Sequence, residues 1–370
     1  MGKTQSHITP RGCLDCKLET VPCAFLRCGF PYVLNGALLK GNMKFLRLYT
    51  TDPYYNLAVE EYLFLHAEDD IFMLWQNDRT VVIGKNQNAY AELDVACARQ
   101  NGIRIARRIT GGGAVYHDMG NLNYTYISRK KASDTIDFAP FCAPILAALR
   151  TLGIRATLSG RNDLVVDGKK ISGNAQHTAN GCVLHHGTLL YNSDLTVLST
   201  VLRTDSEKLK AKSIRSVSSR VMNLSPVLPL AGGVEELADH IFGELLQTFG
   251  GEWMEIPKNS EIETLAARNA SDEWIFPERP ILSQYTLSQK RRYPYGSVEV
   301  TLLMSGETIQ EIHFEGDFFG AAPLFGLEQR LVGATSAEIA SRLENFPIEQ
   351  YIYGMSSAEL TELIGDVLRT

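Results

Sequence analysis

Apolar positions along the chain fall into short alternating runs and longer stretches of helical spacing. Residues 44–49 alternate with a period of two and predict a strand. Asp52-Pro53 marks a turn, and residues 56–65 then carry apolar side chains at helical spacing with Glu60 and Glu61 in the early turns, an amphipathic helix. The β-branched and aromatic runs 71–75 and 80–83, separated by Asn77-Asp78 and ending at Gly84, predict a hairpin. Residues 91–101 suit a helix closed by Gly102, followed by a strand at 103–106. A strand at 123–127 and a helix at 138–152 stopped by Gly153 follow. Residues 164–166 and 170–172 read as a hairpin around the tight turn Asp167-Gly168, and 184–190 as a further strand. Between 253 and 282, Pro257, Pro277 and Pro280 surround Trp253, Trp274 and Phe276, the pattern of a connector packed against something. Beyond it, 296–303 and 310–315 alternate as strands, and 336–345 and 357–369 are helices opened by Ser. Strands and helices mix without strict alternation, which predicts an α+β layered domain rather than a doubly wound sheet, with a small separate α+β domain from about residue 282.

Composition narrows the classes. The 370 residues are 45% hydrophobic and 21% charged, which is globular and excludes disorder over the whole length. No apolar run approaches the roughly 18 residues of a membrane-spanning helix. A formal charge of −6 has the wrong sign for a protein whose affinity rests on neutralising phosphate backbone. The cysteines Cys13, Cys16, Cys23 and Cys28 crowd the first 28 residues and the other three are scattered, unlike a secreted disulfide framework, so a reducing compartment fits better. Residues 1–42 show neither helical nor strand periodicity, and the four thiols have the wrong spacing for the usual paired zinc ribbon. The leader reads as a disordered extension, or as sequence upstream of a true start at Met43. It offers no convincing targeting peptide, which favours the cytoplasm.

Chemistry is concentrated in three places. The first is residues 107–123, where Arg107 and Arg108 precede Gly111-Gly112-Gly113 and Ala114-Val115-Tyr116-His117-Asp118 and Asn121 follow. Consecutive glycines let backbone approach a ligand and turn N–H groups toward an anion, and guanidinium forks beside them suit a phosphate or carboxylate. The competing reading is a flexible turn with solvated arginines, which the clustering of both features disfavours. The segment matches neither of the common glycine-rich nucleotide signatures. The second is residues 160–176, with Asn162, Asp163 and Lys170. Strand alternation puts Lys169 and Lys170 on opposite faces and Lys170 on the face of Ser172, where an ammonium would stabilise charge developing as a carboxylate attacks a phosphate. The third is His185-His186. Adjacent histidines on a strand point opposite ways and do not bind one metal together, so one reads as structural; His186 is a candidate for contacting a substrate carbonyl or orienting a loop, and equally reads as a satisfied core histidine. Cys182 is weighed as a nucleophile, although a lone buried thiol is usually inert.

These motifs, in this order, resemble the lipoate-protein ligase A family. The helix at 56–61, Val81-Val82-Ile83-Gly84-Lys85-Asn86-Gln87-Asn88 and residues 215–224 are similar to the family's segments as well, so the resemblance runs from Met43 to the C-terminus. It implies a biotin/lipoyl ligase-type catalytic domain with mixed sheets and flanking helices over residues 43–281, and a small α+β accessory domain over 282–370. It also implies a two-step reaction. Free lipoate and Mg-ATP give lipoyl-adenylate and pyrophosphate, and the lipoyl group passes to a lysine of a 2-oxoacid dehydrogenase lipoyl domain or the glycine-cleavage H protein. Lys170 matches the family's invariant lysine, bridging lipoyl carboxylate and adenylate phosphate. Arg108, Gly113, Ala114, Val115 and Tyr116 match the segment holding lipoate and nucleotide, and Arg107 and Gly112 adjoin it. Asn121, Asn162, Asp163 and His186 match positions lining the same cleft, with Asp163 as a magnesium ligand. An apolar slot for the lipoyl chain is expected from residues 81–83 and Leu189. The rival is a related acyl transferase that uses no ATP and forms a thioester, for which Cys182 is the cysteine near the motifs.

Overall fold

The computed structural model describes residues 43–129, 136–203, 220–277 and 286–369. The readings made on the leader cysteines, on residues 215–219 and on the domain boundary near 282 fall outside the described residues. Strands β1 (Lys44–Arg47), β2 (Ile71–Trp75), β3 (Thr80–Ile83), β4 (Arg104–Arg107) and β5 (Val115–His117) come first. They are followed by β6 (Asn121–Ser128), β7 (Thr157–Ser159), β8 (Asp163–Val166), β9 (Lys169–Ala179), β10 (Cys182–Leu190) and β11 (Glu252–Trp253). The last three are β12 (Thr286–Tyr293), β13 (Gly296–Ser305) and β14 (Thr308–Gly316).

Three sheets result. The largest has eight strands in the order β11-β1-β2-β6-β10-β9-β8-β7, a second is β4-β3-β5, and the third is β12-β13-β14. The hairpin expected from 71–75 and 80–83 does not form. β2 pairs with β1 in parallel and with β6 antiparallel, whereas β3 pairs with β4 and β5, so the turn between them carries the chain from one sheet to another. Every residue of both strands is buried, the mark of central strands covered on two faces. The helix expected at 91–101 is broken in two, Ala89–Glu92 and Val95–Gln100, because Asp94 caps the second through Cys97 N. The helix expected at 336–345 contracts to Ile339–Leu343.

The opening helix runs Pro53–His66, with Asp52 accepting from the amides of Tyr54 and Tyr55 and Pro53 in the first turn, where its missing N–H costs nothing. It covers one face of the large sheet. Helices Ala139–Thr151 and Gly233–Phe249 cover the other, burying Leu149, Ile241 and Leu245 against Phe45, Phe72 and Leu122. The connector contains a helix, Ser260–Ala270, whose Arg268 meets Glu61 at 2.9 Å and lies 4.1 Å over Trp274. The C-terminal helix Ser357–Arg369 buries Leu360, Leu363, Ile364 and Val367 in a core of its own with Val298, Val300 and Leu302 of β13. Among the described residues, no helix is long and apolar enough to cross a membrane.

Candidate active site

A cleft opens where β3 and β5 of the small sheet face β6, β9 and β10 of the large one. Leu57, Trp75, Val82 and Val115 line it on apolar sides, and Arg108, Gly112, Gly113, Lys170 and His186 also border it. Arg108 and Lys170, expected from the sequence to act together, therefore border one crevice.

Arg108 is 5% exposed and uses its fork to shape the glycine loop. Its Nη2 donates to the carbonyls of Gly111 at 2.7 Å and Gly113 at 2.9 Å, Nη1 donates to Val82 O at 3.1 Å, and Nε donates to Thr110 Oγ1 at 2.9 Å. Burial depresses its pKa to about 10, with Glu60 opposing the shift, so the guanidinium stays charged at neutral pH. The loop needs its glycines: at Gly112 φ is +89°, and a Cβ there would lie 2.8 Å from the Phe319 ring. The Gly112 amide is not free for an anion, since it donates to Phe318 O at 3.1 Å. The C-terminal part thus forms a wall of the cleft, with Phe319 lining it beneath the Arg161 guanidinium, 4.4 Å above the ring. Nothing local in the sequence pointed to Phe319.

Lys170 owes its position to a bulge. Asp167 and Gly168, with φ of 50° and 75°, make the tight turn foreseen between β8 and β9. Val165 then pairs with Lys170 but Leu164 with Ser172, so Ile171 is an extra residue in β9. The bulge reverses the alternation beyond it. Lys170 does not share a face with Ser172, which is fully buried; it lies with Asp163 and Gly173. Its Nζ is 2.8 Å from Asp163 Oδ1, and a Cβ on Gly173 would come within 2.9 Å of Nζ. Glycine at 173 is what lets the lysine lie along the strand.

A buried polar chain runs beside the cleft. Trp75 Nε1 donates to Thr125 Oγ1 at 2.9 Å, and Thr125 donates to Glu60 Oε1 at 2.7 Å. His186 Nδ1 meets the same carboxylate at 2.9 Å, and its Nε2 is 2.9 Å from Thr110 Oγ1, which Arg108 contacts in turn. Glu60 is 1% exposed. A carboxylate sunk in an otherwise apolar helix face was the signal in the sequence for this residue. His185 points the other way and stacks on Phe141, with ring centroids 5.0 Å apart, as the adjacent-histidine argument required.

Comparison with known proteins gives this geometry a family. Residues 52–246 match the family described as Lipoyl protein ligase A/B catalytic domain, and residues 283–364 match Bacterial lipoate protein ligase C-terminus. The lipoate-protein ligase LplJ of Bacillus subtilis is 34% identical over 325 residues, covering 85% of this chain and 97% of that one. The chain belongs to the lipoate-protein ligase family. Lipoate-protein ligase 1 of Staphylococcus aureus is likewise 34% identical, over 85% of this chain and 97% of its own length. Among solved structures, P. falciparum LipL1 in complex with lipoate superposes with a TM-score of 0.72 over 88% of this chain and all of that one, at 24% identity, a likeness of fold. A lipoate-protein ligase A bound with ATP gives a TM-score of 0.53 at 27% identity, over 65% of this chain and 99% of its own. The α+β fold of the lipoate ligases is therefore that of this enzyme.

Within the ligase, the residues expected at the site divide. Lys170, Arg108, Gly112, Gly113, Ala114, Val115, Asn162 and His186 line one cleft. Arg107 is turned away: it donates to the carbonyls of Gly84, Lys85 and Gln87 and to those of Trp274 and Ile275, clamping the 84–88 loop to the connector. Tyr116 alternates with Val115 and packs with Val81 and Ile83 on the far face of the small sheet. Asn121 is buried behind Asn123, to which its amide donates at 2.8 Å, and Asn123 is the one that lines the cleft. Leu189 belongs to the main core rather than to the expected slot. Cys182 is buried at the start of β10 and does not border the cleft, and burial raises its thiol pKa.

Proposed function

We propose that this ligase activates free lipoate with ATP, forming lipoyl-adenylate and releasing pyrophosphate, and then transfers the lipoyl group to a specific lysine of an acceptor protein. The observation that carries the reading is the placement of Lys170 and Arg108 on one cleft that also has an apolar stretch, formed by Leu57, Trp75, Val82 and Val115. A carboxylate and a triphosphate repel each other, and joining them needs fixed positive charge where negative charge accumulates. The Lys170 ammonium, held by a single carboxylate at one edge, can exchange Asp163 for a substrate oxygen. Arg108 adds a charge whose fork is already fixed by backbone carbonyls, so it needs no reorganisation when the reactants arrive. The carboxylate oxygen attacks the α-phosphorus and the bond to the β-phosphate oxygen breaks; in the second step the acceptor amine attacks the acyl carbon and AMP leaves. The solved relative bound with ATP supports the nucleotide. The archaeal bipartite lipoate protein ligase of Thermoplasma acidophilum, solved with its E2 lipoyl domain and 29% identical with a TM-score of 0.58, supports acceptors of the lipoyl-domain kind, among which we place E2 subunits and the glycine-cleavage H protein.

We read magnesium as carried by the nucleotide. Asp163 is occupied by Lys170, and among the described residues no cluster of three or more metal-type side chains occurs. A magnesium ion would arrive on the nucleotide's phosphates, which is its usual mode. The thioester alternative is disfavoured at Cys182, the cysteine near the motifs, because burial raises its thiol pKa and it does not border the cleft. Pyrophosphate released from lipoate and ATP with no acceptor present is the expected result, unaltered in Cys182→Ser. No pyrophosphate, with acyl transfer abolished by Cys182→Ser, would establish the alternative.

A further inference from the structure

The apolar part of the cleft holds buried polar groups that the reaction above does not use. In the small sheet, Val82 pairs with Val115 and Thr80 with His117, which puts the His117 ring on the face of Val82 and Val115. In the large sheet, Trp75 pairs with Asn123. The two meet across the cleft, and the His117 ring stands edge-to-face with Trp75 at 6.1 Å. His117 is 4% exposed and Asn123 1%, and among the described residues neither His117 Nε2 nor Asn123 Nδ2 has a hydrogen-bond partner.

The hydrogen on the His117 ring can be located. Asn56 Nδ2 is 3.0 Å from Thr50 O and 2.8 Å from Gln76 O, and carbonyls only accept, so that end of the amide is the NH2. The same nitrogen is 2.9 Å from Asn77 Oδ1, which must accept, leaving Asn77 Nδ2 as the atom 3.1 Å from His117 Nδ1. Nδ1 accepts and the ring hydrogen sits on Nε2. His117 therefore presents a buried N–H donor, beside the hydrogen-bonded amides of Asn121 and Asn123.

Resting on the reading that this cleft takes lipoate, we propose that His117 selects the tail of the acid by donating from Nε2 to a sulfur of the dithiolane ring, and so sets lipoate apart from a plain eight-carbon fatty acid. Ring sulfur is a weak, polarizable acceptor that tolerates the surrounding Leu57, Trp75, Val82 and Val115, where a charged acceptor would be stranded. An alkyl tail fills the same space but leaves that donor desolvated without a partner, and a site built to donate rejects a ligand that cannot accept.

The test compares calorimetric binding, without ATP, of lipoate, octanoate and 5-cyclopentylpentanoate, whose ring has methylenes in place of the sulfurs. The full-length protein should bind lipoate about tenfold more tightly than the cyclopentyl acid, the scale of one modest hydrogen-bond difference. In His117→Phe that gap should close to about twofold. Equal binding of lipoate and the carbocycle by the unaltered protein overturns the proposal without recourse to any variant, as does a gap unchanged in His117→Phe or failure of all three acids to bind. Because binding is read in the absence of nucleotide, a missing pyrophosphate signal counts against the adenylation reading alone.

Discussion

Glu60 shows how much one residue holds in this site. Its carboxylate receives Thr125 on one side and His186 on the other, and through His186 and Thr110 it reaches the Arg108 guanidinium. Glu60→Ala strands two buried donors and removes the charge that faces Arg108, and is expected to lower stability by roughly 3 kcal/mol. Denaturant titration would measure this, and a loss below about 1 kcal/mol would show the network to be slack. At this scale the sequence was readable where chemistry and spacing agreed, as with Arg108, Lys170 and His186. It misled where one step of alternation decided the outcome. Arg107 and Arg108 are neighbours on a strand, so only one enters the cleft, and residue type does not say which. Tyr116 beside Val115 and Asn121 beside Asn123 follow the same rule. The Ile171 bulge inverted the predicted face of Lys170, and a bulge is a matter of pairing register, which a single strand does not display.

Single elements were legible when their signals were local. The helix Pro53–His66 announced itself by its cap and proline, and the β8–β9 turn by Asp167-Gly168. Pairing partners were not local. β2 and β3 are both short apolar runs flanking a turn, and a hairpin satisfies that pattern as well as a crossover between sheets does. What separates the two is the pairing partner, and the antiparallel partner of β2 is β6, more than 40 residues further along the chain. The cleft exists because of this crossover. The turn after β2 throws β3 into a second sheet, and the space between the sheets is the cleft that Val82 and Trp75 line.

At the scale of the whole molecule, the C-terminal part completes a site that the preceding strands begin. Phe318 O takes the Gly112 amide, Phe319 lines the cleft, and Gly316 N donates to Asn86 O at 2.9 Å, so residues 316–319 lie along both glycine-bearing loops. No motif in the sequence marks that contact, because it joins segments about 200 residues apart. The core also predicts an acid response. Burial lowers the pKa of His117 to about 3 and that of His185 well below its ordinary value, so both are neutral in the folded protein at physiological pH. The unfolded chain protonates them below about pH 6.5. It then binds more protons than the folded chain, and stability falls as pH drops from there, by about 1.4 kcal/mol per unit for each histidine. Melting temperature should be level from pH 8 to 7 and decline progressively from 6.5 to 5; a level profile down to 5 would mean that neither ring is held neutral by burial.

The claim on which the functional account stands is that the Lys170 ammonium is where the two anions are brought together. Its most direct test is the initial rate of lipoate-dependent pyrophosphate release from ATP by Lys170→Ala, with folding confirmed by an unchanged melting temperature. The rate should fall by a factor on the order of 10² to 10³, as when one preorganised donor is withdrawn from a transition state. A folded Lys170→Ala protein that releases pyrophosphate at the unaltered rate would contradict it.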